Sequence, residues 1–137
     1  MFVSLLFISD SLLQADERER ELRDIVSTTM RNNGWLQLSG ALVYSQTRFT
    51  QLIEGPAGSV DLMMSRIMAD PRHANIRIIS RDRRRDRRLL SWKLAYSGKS
   101  LFVERAIEAL VEEGLNSDDR AARVDRLLAL VTGLGRS

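Results

Sequence analysis

Apolar residues in this chain run together or alternate over short stretches, and over longer ones they recur every three or four positions. Residues 2 to 9, FVSLLFIS, are an almost unbroken apolar run of strand length, the pattern of a buried strand. ERELRDIVSTTMRNNG places Leu22, Ile25, Val26 and Met30 on one face of a helix, and Asn32, Asn33 and Gly34 supply its stop signal. WLQLSGALVYS and RFTQLIEG read as strands joined by the short turn around Ser45 to Thr47, an antiparallel hairpin. PAGSVDLMMSRIMAD predicts a second helix whose inner stripe is Val60, Met63, Met64 and Ile67. Beyond the break at Asp70-Pro71, NIRIIS reads as a fourth strand and SWKLAYS as a fifth.

The order β-α-β-β-α-β-β is that of an α+β, ferredoxin-like fold with an added fifth strand, which sets both helices on one face of the sheet. Two further helices come after it, with Ile107, Leu110 and Val111 on one stripe and Val124, Leu127, Leu128 and Val131 on the other. They are expected to cover the opposite sheet face or part of a partner's. A chain of 137 residues is the size of one domain, and it shows neither an internal repeat nor a low-complexity linker.

Composition narrows the classes of function. The 44% hydrophobic and 28% charged residues are ordinary for a soluble protein, and no apolar run reaches the roughly 18 residues that would span a membrane. MFVSLLFISD lacks a basic region and a small-residue cleavage site, so it reads as the first strand and not as a signal peptide. The absence of cysteine excludes disulfides and thiolate metal sites and fits a cytoplasmic chain. RDRRRDRR, residues 81 to 88, holds six arginines and two aspartates, an excess larger than the chain's net charge of +3. One loop therefore makes the protein basic. It reads as a solvated, partly self-paired charge run between two strands, with nucleic-acid binding as the competing reading.

Catalytic patterns are missing. His73 is the single histidine, so a metal site would need carboxylates alone. EGPAGS lacks the spacing and the following lysine of a phosphate-binding loop, and no serine sits in a nucleophile elbow. What remains is a set of polar residues at interior positions. Alternation in RFTQLIEG puts Gln51 on one face with Phe49 and Ile53, carrying a primary amide into apolar surroundings. Asn33 ends the first helix, and DPRH, Asp70 to His73, comes after the second. Amides both donate and accept, so a planar heteroaromatic with alternating acceptors and N–H donors would satisfy this set. Equally, Asn-Asn-Gly is a common helix stop, a strand Gln can bond a neighbouring backbone group, and DPRH is an ordinary turn.

LQLSGALVYSQTRFTQLIEGP, IMADPRHANIRII and the SW that opens the last strand resemble the BLUF domain, the flavin-using blue-light sensors, over residues 1–97. Residues 98–137 resemble the family only as generic helices, an extension that packs on the sheet or on a partner. The resemblance implies a non-covalent flavin, FAD with FMN as the alternative, held between the two helices. It implies that Asn33 bonds the flavin's C4 carbonyl and N3 edge and that Gln51 is the switching glutamine beside N5 and O4. Arg72 and His73 would lie near the pyrimidine edge and phosphoryl tail, with Asp70 before them, and Ile25 would pack on the ring. The function so implied is a non-enzymatic blue-light photoreceptor, expected to be a homodimer, signalling to a protein effector.

Two departures qualify it. The family's first strand carries a tyrosine in Y-x-S, the electron and proton donor and a partner of the glutamine, where this chain has Phe7-Ile8-Ser9. The strand opened by Trp92 commonly has a methionine two residues on, where this chain has Leu94. Phe7, either an introduced replacement or natural divergence, predicts a flavin protein without the usual light-induced red shift. Trp92 could quench the excited flavin by electron transfer but cannot replace the phenol. The alternatives are a flavin-free protein-interaction module and an arginine-loop nucleic-acid binder.

Overall fold

The N-terminal apolar run becomes an inner strand of a five-stranded sheet. In a computed structural model, which describes residues 2–14, 16, 17, 20, 21, 23–25, 27, 36–45, 47–89, 92–97, 101–111 and 116–136, its order is β4-β1-β3-β2-β5. The strands are β1 (Phe2–Ser11), β2 (Ser39–Tyr44), β3 (Arg48–Gly55), β4 (His73–Arg84) and β5 (Trp92–Ser97). The helices are α1 (Ala57–Met68), α2 (Leu101–Val111) and α3 (Ser117–Arg136). All neighbouring strands are antiparallel except β5, which adds parallel to β2. This is the expected ferredoxin-like sheet with its fifth strand. Between β1 and β2, residues 20, 21, 23–25 and 27 are helical, whereas Leu22, Val26, Met30 and Asn33 lie outside the described residues.

Both faces of the inner strands are buried, which explains the apolar run in β1. Val3, Leu5, Phe7, Leu42, Phe49 and Ile53 form one layer with Val60, Met63 and Met64 of α1, and Ile25 packs against it. Leu6, Ile8, Ala41, Val43 and Leu52 form the other with Ile107 and Leu110 of α2 and Leu127, Leu128 and Val131 of α3. The last two helices thus cover the chain's own sheet. Of the two expected roles of their apolar stripes, cover for the opposite sheet face or for a partner's, the described residues take the first.

The arginine stretch departs from expectation. β4 runs on to Arg84, so the first half of RDRRRDRR is strand and not loop. Two bulges interrupt its pairing with β1, and Asn75, at the first, takes a left-handed φ of 55° while its amide bonds the Asp10 carboxylate at 2.8 Å. In the second half Arg85 and Asp86 are exposed, as a solvated run would be, but Arg87 and Arg88 are bound. Glu54, 1% exposed, accepts the backbone N–H groups of Arg88 at 2.6 Å and Leu89 at 3.0 Å and the Arg88 guanidinium at 3.3 Å. Arg87 donates to the Ser39 hydroxyl and to the carbonyls of Glu54 and Gln37. A buried carboxylate needs such partners, and these hold the segment that leads into β5.

β2 is shorter than its sequence pattern, because Leu36 is helical and Gln37 turns the chain with a φ of 55°. The turn passes close over the end of β3. A Cβ on Gly55 would come within 2.6 Å of Leu38 Cδ2 and 2.9 Å of the Gln37 carbonyl, so only glycine fits.

Candidate functional site

The sheet layer facing α1 opens into a small cleft, with about 40 Å³ of free space, between the strands, α1 and the first helical segment. Ile25, Leu42, Phe49 and Ile67 supply apolar walls, and Gln51, Asp70, Arg72 and His73 supply the polar groups. The structure therefore brings together every described residue of the predicted flavin-binding set. Sequence reasoning missed Leu42 and Phe49 as walls; both share the Gln51 face of the hairpin, one paired with Gln51 and one two positions before it.

Gln51 is 6% exposed, and among the described residues its amide makes no hydrogen bond. It borders the cleft from β3, where its register partners are Leu42 on β2 and Phe7 on β1. Paired residues project to the same face, so the β1 side chain paired with Gln51 is an aromatic hydrocarbon without a hydroxyl. Phe7 is 0% exposed and belongs to the apolar layer. Trp92 pairs with Gly40 at the start of β5; its side chain lies outside the described residues, as does Asn33.

His73 and Arg72 occupy the rim, each with partners of its own. The His73 Nε2 lies 2.6 Å from the Ile67 carbonyl, so it carries a proton and donates, and Nδ1 is hydrogen-bonded with the Ser9 hydroxyl at 2.8 Å. The ring meets Phe49 edge-on, with centroids 6.0 Å apart. Arg72 makes a forked contact with Asp70, Nε at 2.9 and 3.0 Å and Nη2 at 2.6 Å. Its Nη1 donates to Glu21 at 3.2 Å and Asp24 at 2.9 Å. The Asp70 carboxylate also accepts the Arg72 backbone N–H at 2.9 Å. These hydrogen bonds, with the Asp70 one foremost, and the adjacent negative charge raise the Arg72 pKa against desolvation. Most of its N–H donors are thus taken by carboxylates. Their distance along the sequence hid Glu21 and Asp24 as rim residues.

Comparison with known proteins identifies this arrangement. The family model described as BLUF, sensors of blue-light using FAD, matches residues 2–95. The chain belongs to the BLUF family. It is similar to the blue light- and temperature-regulated antirepressor BluF of Escherichia coli (strain K12), 29% identical over 143 residues. That match covers 96% of this chain and 34% of the relative, so the chain spans about a third of that protein's length. Among solved structures, BlrB, a BLUF protein in its dark state, superposes with a TM-score of 0.68 at 26% identity, covering 94% of this chain and 96% of BlrB. BlsA in its photo-activated state has the same fold, with a TM-score of 0.71 at 23% identity over 93% of this chain and 95% of BlsA.

A BLUF domain is expected to hold a flavin, and this cleft suits one. Apolar walls would face a ring system, and the Gln51 amide, with no hydrogen-bond partner among the described residues, would supply a donor and an acceptor to its heteroatom edge. The rim suits the flavin's phosphoryl tail less well, because the Arg72 guanidinium already faces three carboxylates.

Proposed function

We propose that this chain is a flavin-binding blue-light sensor that takes FAD into the cleft through Gln51, with Ile25, Leu42, Phe49 and Ile67 against the ring. The observation that carries the reading is the Gln51 amide, 6% exposed, bordering the cleft without a hydrogen-bond partner among the described residues. A ligand that fills the cleft and excludes water from it must itself pair with the amide, because a buried amide left unsatisfied costs about 1–3 kcal/mol. The flavin supplies light absorption when bound. The protein supplies an amide that can present either its N–H or its carbonyl, a two-state element whose preference depends on the charge and protonation of the group it faces.

Phe7 alters the response to absorbed light. A phenylalanine at the position paired with Gln51 neither donates a proton nor fixes the amide's orientation. The expected phenotype is a yellow protein whose flavin band does not shift reversibly to the red under blue light. Absorbance of the purified protein in the dark and after illumination tests this, with Phe7→Tyr as the variant expected to acquire the shift. A reversible red shift in the unaltered chain would overturn the light-silent reading. A colourless protein that does not take up added FAD or FMN would overturn flavin binding and favour a flavin-free interaction module. Chromatography of the flavin released on denaturation distinguishes FAD from FMN.

A further inference from the structure

The arginines around β4 fall into two groups. Arg87 and Arg88 turn inward to Ser39, Ser4 and Glu54, Arg84 bonds the Asp86 carbonyl, and Arg81 pairs with Asp61 at 2.9 Å. Arg77, Arg83 and Arg85 are exposed, and no ion pair or hydrogen bond is made by their side chains among the described residues. Arg77 and Arg83 lie on β4, and Arg85 just after it, at the end of the sheet, since β1 is the one described neighbour of β4.

That edge is open in a specific place. Both bulges lie before Ser80, and from Ser80 to Arg84 the strand pairs residue for residue with Leu6 back to Phe2. A regular strand so paired on one side presents N–H and C=O groups on the other, and no described element pairs there. Register places Arg81 and Arg83 on the face of Leu5 and Val3, and Arg77 on the opposite face with Ile8. Ile78, on the face of Phe7, is 53% exposed.

We propose that the Ser80–Arg84 edge of β4 docks an acidic, extended segment of a partner protein, which adds to the sheet as a sixth strand. Main-chain hydrogen bonds supply the general attraction, and Arg81 and Arg83 on one face select a strand with carboxylates on that face. A second copy is disfavoured at this edge, because self-pairing sets arginine against arginine. A nucleic-acid strand has no backbone N–H to offer the open carbonyls of this edge. The edge is independent of the cleft and of any ligand held there.

The test is fluorescence anisotropy of the full chain with a labelled short peptide alternating glutamate and valine. Its controls are the same peptide N-methylated at alternate amides, a lysine-for-glutamate version, and an oligothymidylate of equal charge. The glutamate peptide is expected to bind saturably, and roughly tenfold more weakly when N-methylated or when the chain carries Arg83→Glu, which is exposed and leaves the core intact. Added salt is expected to weaken it, and hydrogen exchange at Ser80–Arg84 is expected to slow on binding. No saturable binding, equal binding of the N-methylated or lysine peptide, or tighter binding of the oligothymidylate would overturn the proposal.

Discussion

Asp70 and Arg72 show how a rim residue can hold the fold and border the site at once. Burial pushes the Asp70 pKa up, but hydrogen bonds from the Arg72 side chain and backbone and the Arg72 charge outweigh it, so the carboxyl titrates below its ordinary 3.8. A group whose pKa is lowered on folding stabilises fully above its unfolded pKa and loses that contribution as the pH falls through the folded value. Asp70→Asn is therefore expected to cost about 1 kcal/mol at neutral pH, a value kept small because the pair is partly exposed. Thermal unfolding curves of the two proteins should converge as the pH falls through the folded value of Asp70, and an undiminished gap in acid would mean that charge is not the cause. Glu54 is a larger case. Its carboxylate is 1% exposed and satisfies two backbone N–H groups as well as Arg88, so Glu54→Ala is expected to destabilise by about 3 kcal/mol in denaturant titrations. Glu54→Gln, which keeps one acceptor oxygen, should recover part of that.

Elements here communicate through short polar bridges laid over the apolar layers. Glu104, in the first turn of α2, accepts hydroxyl donors from Ser45 at 2.5 Å and Thr47 at 2.8 Å and the Arg48 guanidinium at 3.2 Å. It fastens α2 to the hairpin between β2 and β3, and β3 carries Phe49 and Gln51 into the cleft. Glu104→Ala is expected to loosen that turn. Hydrogen exchange at the Ser45 amide, which bonds the Arg48 carbonyl at 3.1 Å, should speed up by roughly tenfold, whereas an unchanged rate would mean that the turn holds itself. The strands and helical stripes of this architecture were legible in the sequence because apolar periodicity records burial directly, as at Val60, Met63 and Met64. Gln51 stood out for the same reason, an amide where the pattern asks for an aliphatic. The extent of β4 was hidden because arginines suit an edge strand and a loop equally well. The inward turn of Arg87 and Arg88 depends on Glu54, a distant residue whose burial alternation alone does not reveal. Glu21 and Asp24 meet Arg72 across about 50 residues of chain, and no local pattern marks that contact.

At the scale of the whole molecule, one sheet separates the cleft from the C-terminal helices by the thickness of a single strand. Gln51 borders the cleft on one face of β3, and the adjacent Leu52, 0% exposed, packs on the other among residues of α2 and α3. Neighbouring residues of β3 thus face the cleft and the C-terminal helices. The family match ends at residue 95, but the second face of that sheet is covered by residues beyond it. Removing residues 98–137 would uncover Leu6, Ile8, Ala41, Val43 and Leu52 together. Full burial of a side chain such as Leu, Ile or Val contributes about 1.5–3 kcal/mol, against a total stability of about 5–15 kcal/mol for a domain of ordinary size. A chain ending at Ser97 is thus expected to aggregate, or to cover the exposed face with a second copy. Size-exclusion chromatography with light scattering checks this against the full chain, and a monodisperse monomer with an unchanged circular dichroism spectrum would show that the tail is an accessory to a sheet stable by itself.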